Sequence, residues 1–242
     1  MVESFFKEDL NKESIITNWI INNFYDENQM YDDNKKIIKV EDLSQQHQGI
    51  DFVIRDLDIF GDNKSHNVDC KVAANYIMPI KEDSGNRPES IPTFSFELSY
   101  YMNQELKKGW LFSDKYSGTE YFMLGWVWAD LPWYRDDKGY IKVNDSNFKH
   151  GDISEIEIML IKKSDVQNFA ENFDINKENF LEKSIEFRSL EENSKFVKSE
   201  NGNAKFVYSY YLKEKPVNLL FYKKNLEKIA KYHRIIKAKP SV

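Results

Sequence analysis

Two apolar segments, residues 50–57 and 66–73, are separated only by a polar stretch that is rich in turn-forming residues. This pattern predicts two neighbouring β-strands that form an antiparallel hairpin. Side chains alternate between the two faces of a strand, so Ile50, Phe52 and Ile54 share one face. The chain is therefore expected to fold around a hairpin that has one consistently apolar side.

Three charged side chains lie inside these strands and not in the turn. Asp51 lies on the face opposite the apolar residues of the first strand, and Asp69 and Lys71 lie on the corresponding face of the second. A turn centred between residues 60 and 61 places Asp51 opposite Cys70, between the other two charges. A turn centred one residue later moves Asp51 two positions along, and a bulge then restores the match. The sequence leaves the register open, but the three charges converge easily.

These residue types are suited to one kind of chemistry. Two neighbouring carboxylates repel each other unless a divalent cation lies between them, and that cation leaves coordination positions for water and phosphate. A nearby ammonium group can orient or activate the attacking water, or stabilise charge in the transition state. The single cysteine and the spacing of the four histidines argue against a zinc site, so an oxygen-bound Mg²⁺ or Mn²⁺ ion is expected. The pattern indicates phosphodiester hydrolysis.

The phrases "QGID" and "VDCK" resemble the motif of the PD-(D/E)XK nuclease superfamily, which has the restriction-endonuclease-like fold. The resemblance covers about residues 12–75. It implies a core of one helix, strands that carry an Asp and a (D/E)-x-K triplet, and then another helix and strand. It also implies that Asp51 and Asp69 bind the metal, with the Cys70 backbone carbonyl as a further ligand. Lys71 would position or activate the attacking water.

A (D/E)-x-K triplet alone carries little information. The chain contains five of them, which end at Lys35, Lys64, Lys71, Lys107 and Lys138. Only the triplet Asp69-Cys70-Lys71 lies within an apolar strand and follows a Gly-Ile-Asp strand at hairpin distance. This chain departs from the family pattern at Ile50, where the family has proline, and at Asp69, where glutamate is commoner.

Two further acids are candidates for the same site. Glu97, in "TFSFELS", is either a third ligand or water-orienting acid, or an edge-strand carboxylate paired with a lysine. Glu13, on a predicted opening helix, either reaches the metal or is a solvated acid favoured by the helix dipole. Cys70 points to the apolar side and has no histidine nearby in sequence, so it is expected to be a small core residue.

The remaining pattern predicts one α/β domain over residues 1–242, with helices flanking a mixed sheet. A nuclease-like core is expected over about 12–130, and a strand–helix extension over about 152–242. The segment 93–109 suits a strand or a helix. The predicted elements of the extension are a strand and helix over 154–173, a hairpin over 204–222 and a long helix over 224–237.

The net charge of −6 conceals a basic segment. Lys205–Val242 carries a net charge of +8, so the rest of the chain carries −14. A basic segment on an acidic body is either a surface that follows phosphates or an ordinary solvated helix face. The lysines and arginine that would follow phosphates are Lys223, Lys224, Lys228, Lys231, Arg234 and Lys237. A turn at Trp133, Tyr134 and Arg135 is a candidate for stacking on unpaired bases.

The expected partner is DNA, with RNA as an open possibility, and a homodimer would supply the two active sites that double-strand cleavage usually needs. No apolar run approaches the length of a membrane span, and the start of the chain lacks the pattern of a secretory signal. A cytoplasmic location is therefore expected, in agreement with the single cysteine. The alternative functions are a catalytically inactive module that binds nucleic acid and a protein-interaction domain on the same fold.

Overall fold

The computed structural model describes residues 6–25, 32, 34–81, 85–137, 139, 141–190, 196–198 and 204–239, with the backbone alone at 6–10 and 196–198. The fold is of the mixed α/β class, with two main β-sheets and flanking helices. The helices are α1 (Phe6–Asn23), α2 (Leu43–Gln46), α3 (Leu57–Phe60), α4 (Lys163–Glu171), α5 (Phe180–Ser189) and α6 (Lys223–Ile229). The strands are β1 (Lys35–Lys39), β2 (Phe52–Asp56), β3 (Ser65–Val72), β4 (Met78–Pro79), β5 (Thr93–Met102), β6 (Glu105–Lys108), β7 (Tyr121–Ala129), β8 (Trp133–Arg135), β9 (Ile141–Val143), β10 (Ile153–Lys162), β11 (Phe196–Lys198), β12 (Ala204–Tyr208), β13 (Val217–Tyr222) and β14 (Tyr232–Lys237).

The first sheet has the strand order β1-β2-β3-β7-β10-β14, and the short β4 also pairs with β7. Strands β1, β2 and β3 form an antiparallel meander, whereas β3 and β7 run parallel. All nine residues of β7 are buried, as expected for a central strand that is covered on both faces. The parallel pair places the end of the predicted hairpin beside the most buried strand of the fold.

The second sheet has the order β11-β12-β13-β5-β6. The segment that suited a strand or a helix is therefore the hairpin β5–β6, in which Asn103 and Gln104 have positive φ angles of 52° and 66°. Strands from the predicted core and from the predicted extension contribute to both sheets.

Two apolar clusters fill the fold on opposite faces of the first sheet. Trp19 and Ile20 of α1 pack with one face of the sheet, which contains Val68 and Cys70. On the other face, a second cluster joins β7 and β10 to the second sheet and to helices α4–α6. The fold is therefore layered as helix, sheet, sheet and helices around two cores.

Two expectations about connections were wrong. The predicted long helix over 224–237 ends at Ile229, and Tyr232–Lys237 instead forms an edge strand that pairs with β10. This strand satisfies backbone groups of β10 that would otherwise be exposed, and it buries Ile236. The helix that the resemblance implied between β3 and the next core strand is also replaced, by a short 3₁₀ turn at Ala74–Tyr76 followed by strands of the second sheet.

Across the part of the chain that the structure describes, none of the helices combines the length and apolarity that a bilayer crossing requires.

Candidate active site

Asp51 lies immediately before β2, and the neighbouring strand fixes its position. Its backbone N–H donates to the carbonyl of Val68, and its carboxylate accepts a hydrogen bond of 2.8 Å from the backbone N–H of Cys70. Phe52 pairs with Val68, so Asp51 comes level with Asp69 and not with Cys70. The register therefore differs by one residue from the turn centred between residues 60 and 61.

The turn between the two strands explains this register. It contains the helical turn α3, and the Asp56 side chain accepts hydrogen bonds from the first backbone N–H groups of this turn. The helical turn ends at Gly61, which has a φ of 78°, a conformation that glycine adopts without strain. Because the two strand faces must match across the hairpin, this geometry keeps Phe52 and Val68 on one face, and Asp51 and Asp69 on the other.

Asp69 and Lys71 face the second sheet. Asp69 pairs with Phe122 of β7, and Lys71 pairs with Leu124, while Cys70 between them points towards α1. Asp69 is 1% exposed, and its carboxylate lies 2.8 Å from the ammonium of Lys71, which is 29% exposed. The Lys71 side chain therefore extends from a buried carboxylate to the solvent-exposed surface.

Burial raises the pKa of Asp69 to about 7. This value already includes the charge of Lys71, which lowers the pKa, and the charge of Asp51, which raises it. For Lys71, burial acts to lower the pKa, but the negative charges of Asp69 and Asp51 outweigh burial and raise it. Lys71 is therefore a stable cation at neutral pH beside the two aspartates.

Glu97 lies on β5 of the second sheet, where it is half-buried. Burial raises its pKa to about 7, and the positive charges of Lys71 and Arg188 lower it. The charge of Lys71 thus reaches a carboxyl group on the opposite sheet. The structure brings Glu97 into the electrostatic neighbourhood of the site, and its role as a ligand or water-orienting acid stays a prediction.

Four residues near these charges were not predicted from the sequence: Trp110, Tyr100, Tyr116 and Lys163. The ammonium of Lys71 lies 5.6 Å from the centre of the Trp110 ring. Burial raises the pKa of Tyr116, and the charges of Lys71, Glu97 and Asp69 also act on it. Burial lowers the pKa of the Lys163 ammonium, and the charge of Asp69 opposes this. No spacing in the sequence connects these residues, because they come from different sheets and loops.

The two other candidate residues, Glu13 and Cys70, lie in different environments. Glu13 is exposed on α1, and its charge contributes to the raised pKa of Lys71. Burial raises the pKa of the Cys70 thiol well above its ordinary value, so the thiolate that a nucleophile needs is disfavoured. Cys70 is a core residue, as expected, and its backbone carbonyl stays a predicted ligand.

The residues around Asp69 fit a divalent cation. Both carboxylate oxygens are buried, and neither has a hydrogen bond among the described residues, although Lys71 lies at ion-pair distance. Lys71 therefore partners this carboxylate on one side only, and a buried carboxylate that is incompletely partnered is unfavourable. Oxygen ligands of this kind are those that Mg²⁺ and Mn²⁺ prefer.

A second group of possible metal ligands contains Glu157, Glu227 and His233, whose ligand atoms lie within 4.8 Å of one another. The sequence spacing of the histidines did not predict it. However, the Glu157 carboxylate already accepts from Lys223 on one oxygen and lies 2.7 Å from the His233 ring on the other. Lys223 and His233 already partner this carboxylate, one on each oxygen, so this group fits a metal less well than Asp69 does.

The predicted phosphate path along the C-terminal cations is interrupted. Lys223 is paired with Glu157, and Arg234 donates to the backbone carbonyl of Phe24. Trp133, Tyr134 and Arg135 lie in strand β8 of a small two-stranded sheet, and not in a turn. Among these candidates, Tyr134 remains well exposed, at 52%.

In comparisons with known proteins, no family model matches this chain, and no curated protein or solved structure is significantly similar to it.

Proposed function

We propose that this chain is a metal-dependent nuclease that hydrolyses phosphodiester bonds of DNA at Asp51, Asp69 and Lys71. One observation carries the proposal: Asp69 is a buried carboxylate without hydrogen bonds among the described residues, beside a second carboxylate and an ammonium group. Nuclease chemistry gives a reason for each of the three charges. In an ordinary structural ion pair of Asp69 with Lys71, the role of the second carboxylate would be limited to accepting the N–H of Cys70.

The order of elements supports the same proposal. A helix that packs on the sheet is followed by three antiparallel strands, and the third of these lies parallel to a buried strand. The resemblance to the PD-(D/E)XK superfamily implies a helix and strands in this order. The missing helix after β3 is a departure from that pattern, so the proposal depends on the site more than on the topology.

Each side chain has a distinct role in the proposed reaction. A bound Mg²⁺ ion would neutralise both carboxylates, offset the charge of the phosphate and acidify a bound water. Asp51 is held in place for this by the N–H of Cys70, and Asp69 by its place in the central sheet. Hydrolysis forms a bond from water oxygen to phosphorus and breaks a phosphorus–oxygen bond to the sugar. The attacking water loses a proton to the solvent, and the leaving sugar oxygen takes a proton from the solvent.

Lys71 acts as a cation in this scheme. Its raised pKa keeps it protonated at neutral pH, so it holds the attacking water or stabilises negative charge on the phosphate and does not accept a proton. Trp110, below the ammonium, limits the directions in which the lysine can move.

The test compares cleavage of supercoiled plasmid and single-stranded DNA in Mg²⁺ or Mn²⁺ with cleavage in a chelator. We expect Asp69→Asn and Lys71→Ala to reduce the initial rate by roughly 10²- to 10³-fold, the scale seen when one charge-stabilising group is removed. The matched controls are Asp58→Asn and Lys64→Ala, exposed residues of the same hairpin, which should cleave like the unmodified chain. Metal-dependent cleavage that persists in both site variants would contradict the proposal.

A further inference from the structure

A group of exposed aromatic side chains lies where two hairpins of the second sheet meet. Tyr208, Tyr210 and Tyr211 follow one another around the β12–β13 turn, and Tyr101 and Met102 end β5. Tyr210 is 42% exposed, Tyr211 is 64% exposed and Met102 is 55% exposed. The backbone N–H of Tyr101 donates to the carbonyl of Glu214 at 2.7 Å, which ties the two hairpins together. We call these five residues the tyrosine surface.

The tyrosine rings pack edge to face. Tyr210 and Tyr211 have centroids 5.8 Å apart at an interplanar angle of 83°, and Tyr208 and Tyr210 have centroids 6.3 Å apart at 62°. In an edge-to-face pair the edge of one ring lies against the face of the other, so Tyr211, the most exposed of these rings, presents the largest surface to another planar group.

Arg188 of α5 holds the surface in place. Its guanidinium lies 4.9 Å from the centre of the Tyr101 ring and 5.2 Å from that of Tyr208. It also donates to the carbonyls of Ser99 and Lys215. An arginine fixed by backbone carbonyls gives the two hairpins a rigid relative position, which a stacking surface requires.

The local charge suits a polyanion, although the chain as a whole is acidic. Residues 204–215 contain three lysines, at 205, 213 and 215, and one glutamate, and Arg188 adds another positive charge. Lys213 and Lys215 are exposed beside Tyr211 in the same turn. Exposed aromatic rings with flanking lysines are the combination that binds unpaired bases and their phosphates.

Glu97 connects this surface to the proposed active site. Its pKa responds to the charge of Lys71 on one side, and to the charges of Arg188 and Glu214 on the other. Arg188 packs on the tyrosine rings, and Glu214 is bonded to Tyr101. Glu97 and Tyr101 also lie four residues apart on the same strand, β5, so this strand joins the tyrosine surface to the neighbourhood of the proposed site.

We propose that the tyrosine surface binds unpaired bases by stacking, so that the preferred substrate is single-stranded nucleic acid. This inference rests on the proposed function, because it names the substrate class of that same site. Duplex DNA has its bases stacked inside and cannot present a free face to Tyr210 or Tyr211, so it would gain only from the lysines.

The test measures binding of the full chain to a fluorescent single-stranded oligonucleotide, and to the same sequence as a duplex, by anisotropy in a chelator. Without metal, binding is measured apart from cleavage. We expect the single strand to bind at least tenfold more tightly than the duplex. The double substitution Tyr210→Ala and Tyr211→Ala should weaken single-strand binding by roughly tenfold or more.

Two further variants separate stacking from a general loss of structure. Tyr211→Phe keeps the ring and should bind like the unmodified chain. Tyr76→Ala removes a tyrosine of similar exposure in the 3₁₀ turn Ala74–Tyr76 and should leave binding unchanged. Thermal unfolding of each variant shows whether it is folded. The inference is overturned if the double variant, once shown to be folded, binds as tightly as the unmodified chain, or if the duplex binds as tightly as the single strand.

The outcomes also separate this inference from the proposed function. Single-strand binding that depends on the tyrosines, without metal-dependent cleavage, supports the surface and contradicts the nuclease. The opposite outcome is metal-dependent cleavage that Asp69→Asn abolishes, together with single-strand binding that the tyrosine substitutions do not change. This outcome supports the nuclease and overturns the role of the tyrosine surface.

Discussion

Asp69 and Glu157 are both buried carboxylates, and both lie on the face of the first sheet that is turned towards the second sheet. Glu157 has a partner on each oxygen, Lys223 on one and His233 on the other. Asp69 has Lys71 at ion-pair distance, but neither oxygen has a hydrogen bond among the described residues. Glu157 therefore has the partners expected of a structural ion pair. Asp69 has fewer partners than its burial requires, as expected of a site that binds a further cation.

The difference arises from the neighbours that each carboxylate has. Glu157 is surrounded by groups that donate to it, from α6 and β14. Asp69 has Asp51 beside it, held there by the N–H of Cys70, and the charge of this second carboxylate disfavours ionisation of the first. An arrangement that keeps two acids together at the centre of a fold reduces stability unless something binds between them. Four predictions test this contrast, from the largest expected effect to the smallest.

Removing the charge of Glu157 should destabilise the protein most. Glu157→Gln leaves Lys223 partly buried without its carboxylate, and we expect a loss of roughly 2–4 kcal/mol in the free energy of unfolding. Urea denaturation at neutral pH measures it. The contrast between the two sites fails if this variant is as stable as the unmodified chain.

Metal should stabilise the Asp69 site and not the Glu157 site. Mn²⁺ at about 100 times its dissociation constant should raise the free energy of unfolding by about 2.7 kcal/mol. Thermal unfolding with and without Mn²⁺ should show this shift in the unmodified chain and in His233→Asn, but not in Asp69→Asn. A shift that is lost in His233→Asn and kept in Asp69→Asn would reverse the assignment of the two sites.

Removing the charge of Asp69 should stabilise the metal-free protein at alkaline pH. Because the pKa of this group is raised to about 7 in the folded state, the folded chain keeps a proton that the unfolded chain loses as pH rises from about 4. The contribution of Asp69 to stability therefore falls between about pH 4 and pH 7, and above this range the ionised group is unfavourable.

Asp69→Asn removes this effect, so at pH 8 in a chelator it should be more stable than the unmodified chain by roughly 1–3 kcal/mol. At pH 4 the two should be nearly equal. Chemical denaturation at both pH values measures the difference, with Asp130→Asn as an exposed control. A variant that is less stable at pH 8 would show that the ion pair with Lys71 outweighs the desolvation of Asp69.

The smallest effect is expected at Glu227, one of the two exposed members of the second group. Glu227→Gln should change the free energy of unfolding by less than about 0.5 kcal/mol, as is usual for exposed residues. It should also leave the thermal shift by Mn²⁺ unchanged. A lost shift would mean that the group of Glu157, Glu227 and His233 binds the ion.

Local patterns were sufficient for the hairpin and for several other elements. The alternation of apolar residues predicted β2 and β3 and assigned Asp69 and Lys71 to the face opposite Cys70, since the period of a strand is fixed by its backbone. Helix α1, strand β7 and the β12–β13 hairpin were also predicted, from strong apolar periodicity. In each of these elements the local pattern and the packing favour the same structure.

Other features depended on contacts between distant segments. The stripe of Leu226, Ile229 and His233 fits a helix, but residues 232–237 form a strand because β10 offers them an unpaired edge. No sequence pattern predicts the contact of Glu157 with His233 or that of Lys71 with Trp110. Each pair joins segments that are far apart along the chain.

The sequence by itself determined that two aspartates and a lysine lie on the polar side of a hairpin, because side-chain direction in a strand is a local property. Only the tertiary structure decided that this side is covered by a second sheet, which leaves Asp69 buried without hydrogen bonds among the described residues. It also decided that Glu157, with equal burial of its charge, receives a partner on each oxygen. Burial and hydrogen bonding depend on which distant segments pack together, and no spacing along the chain specifies that.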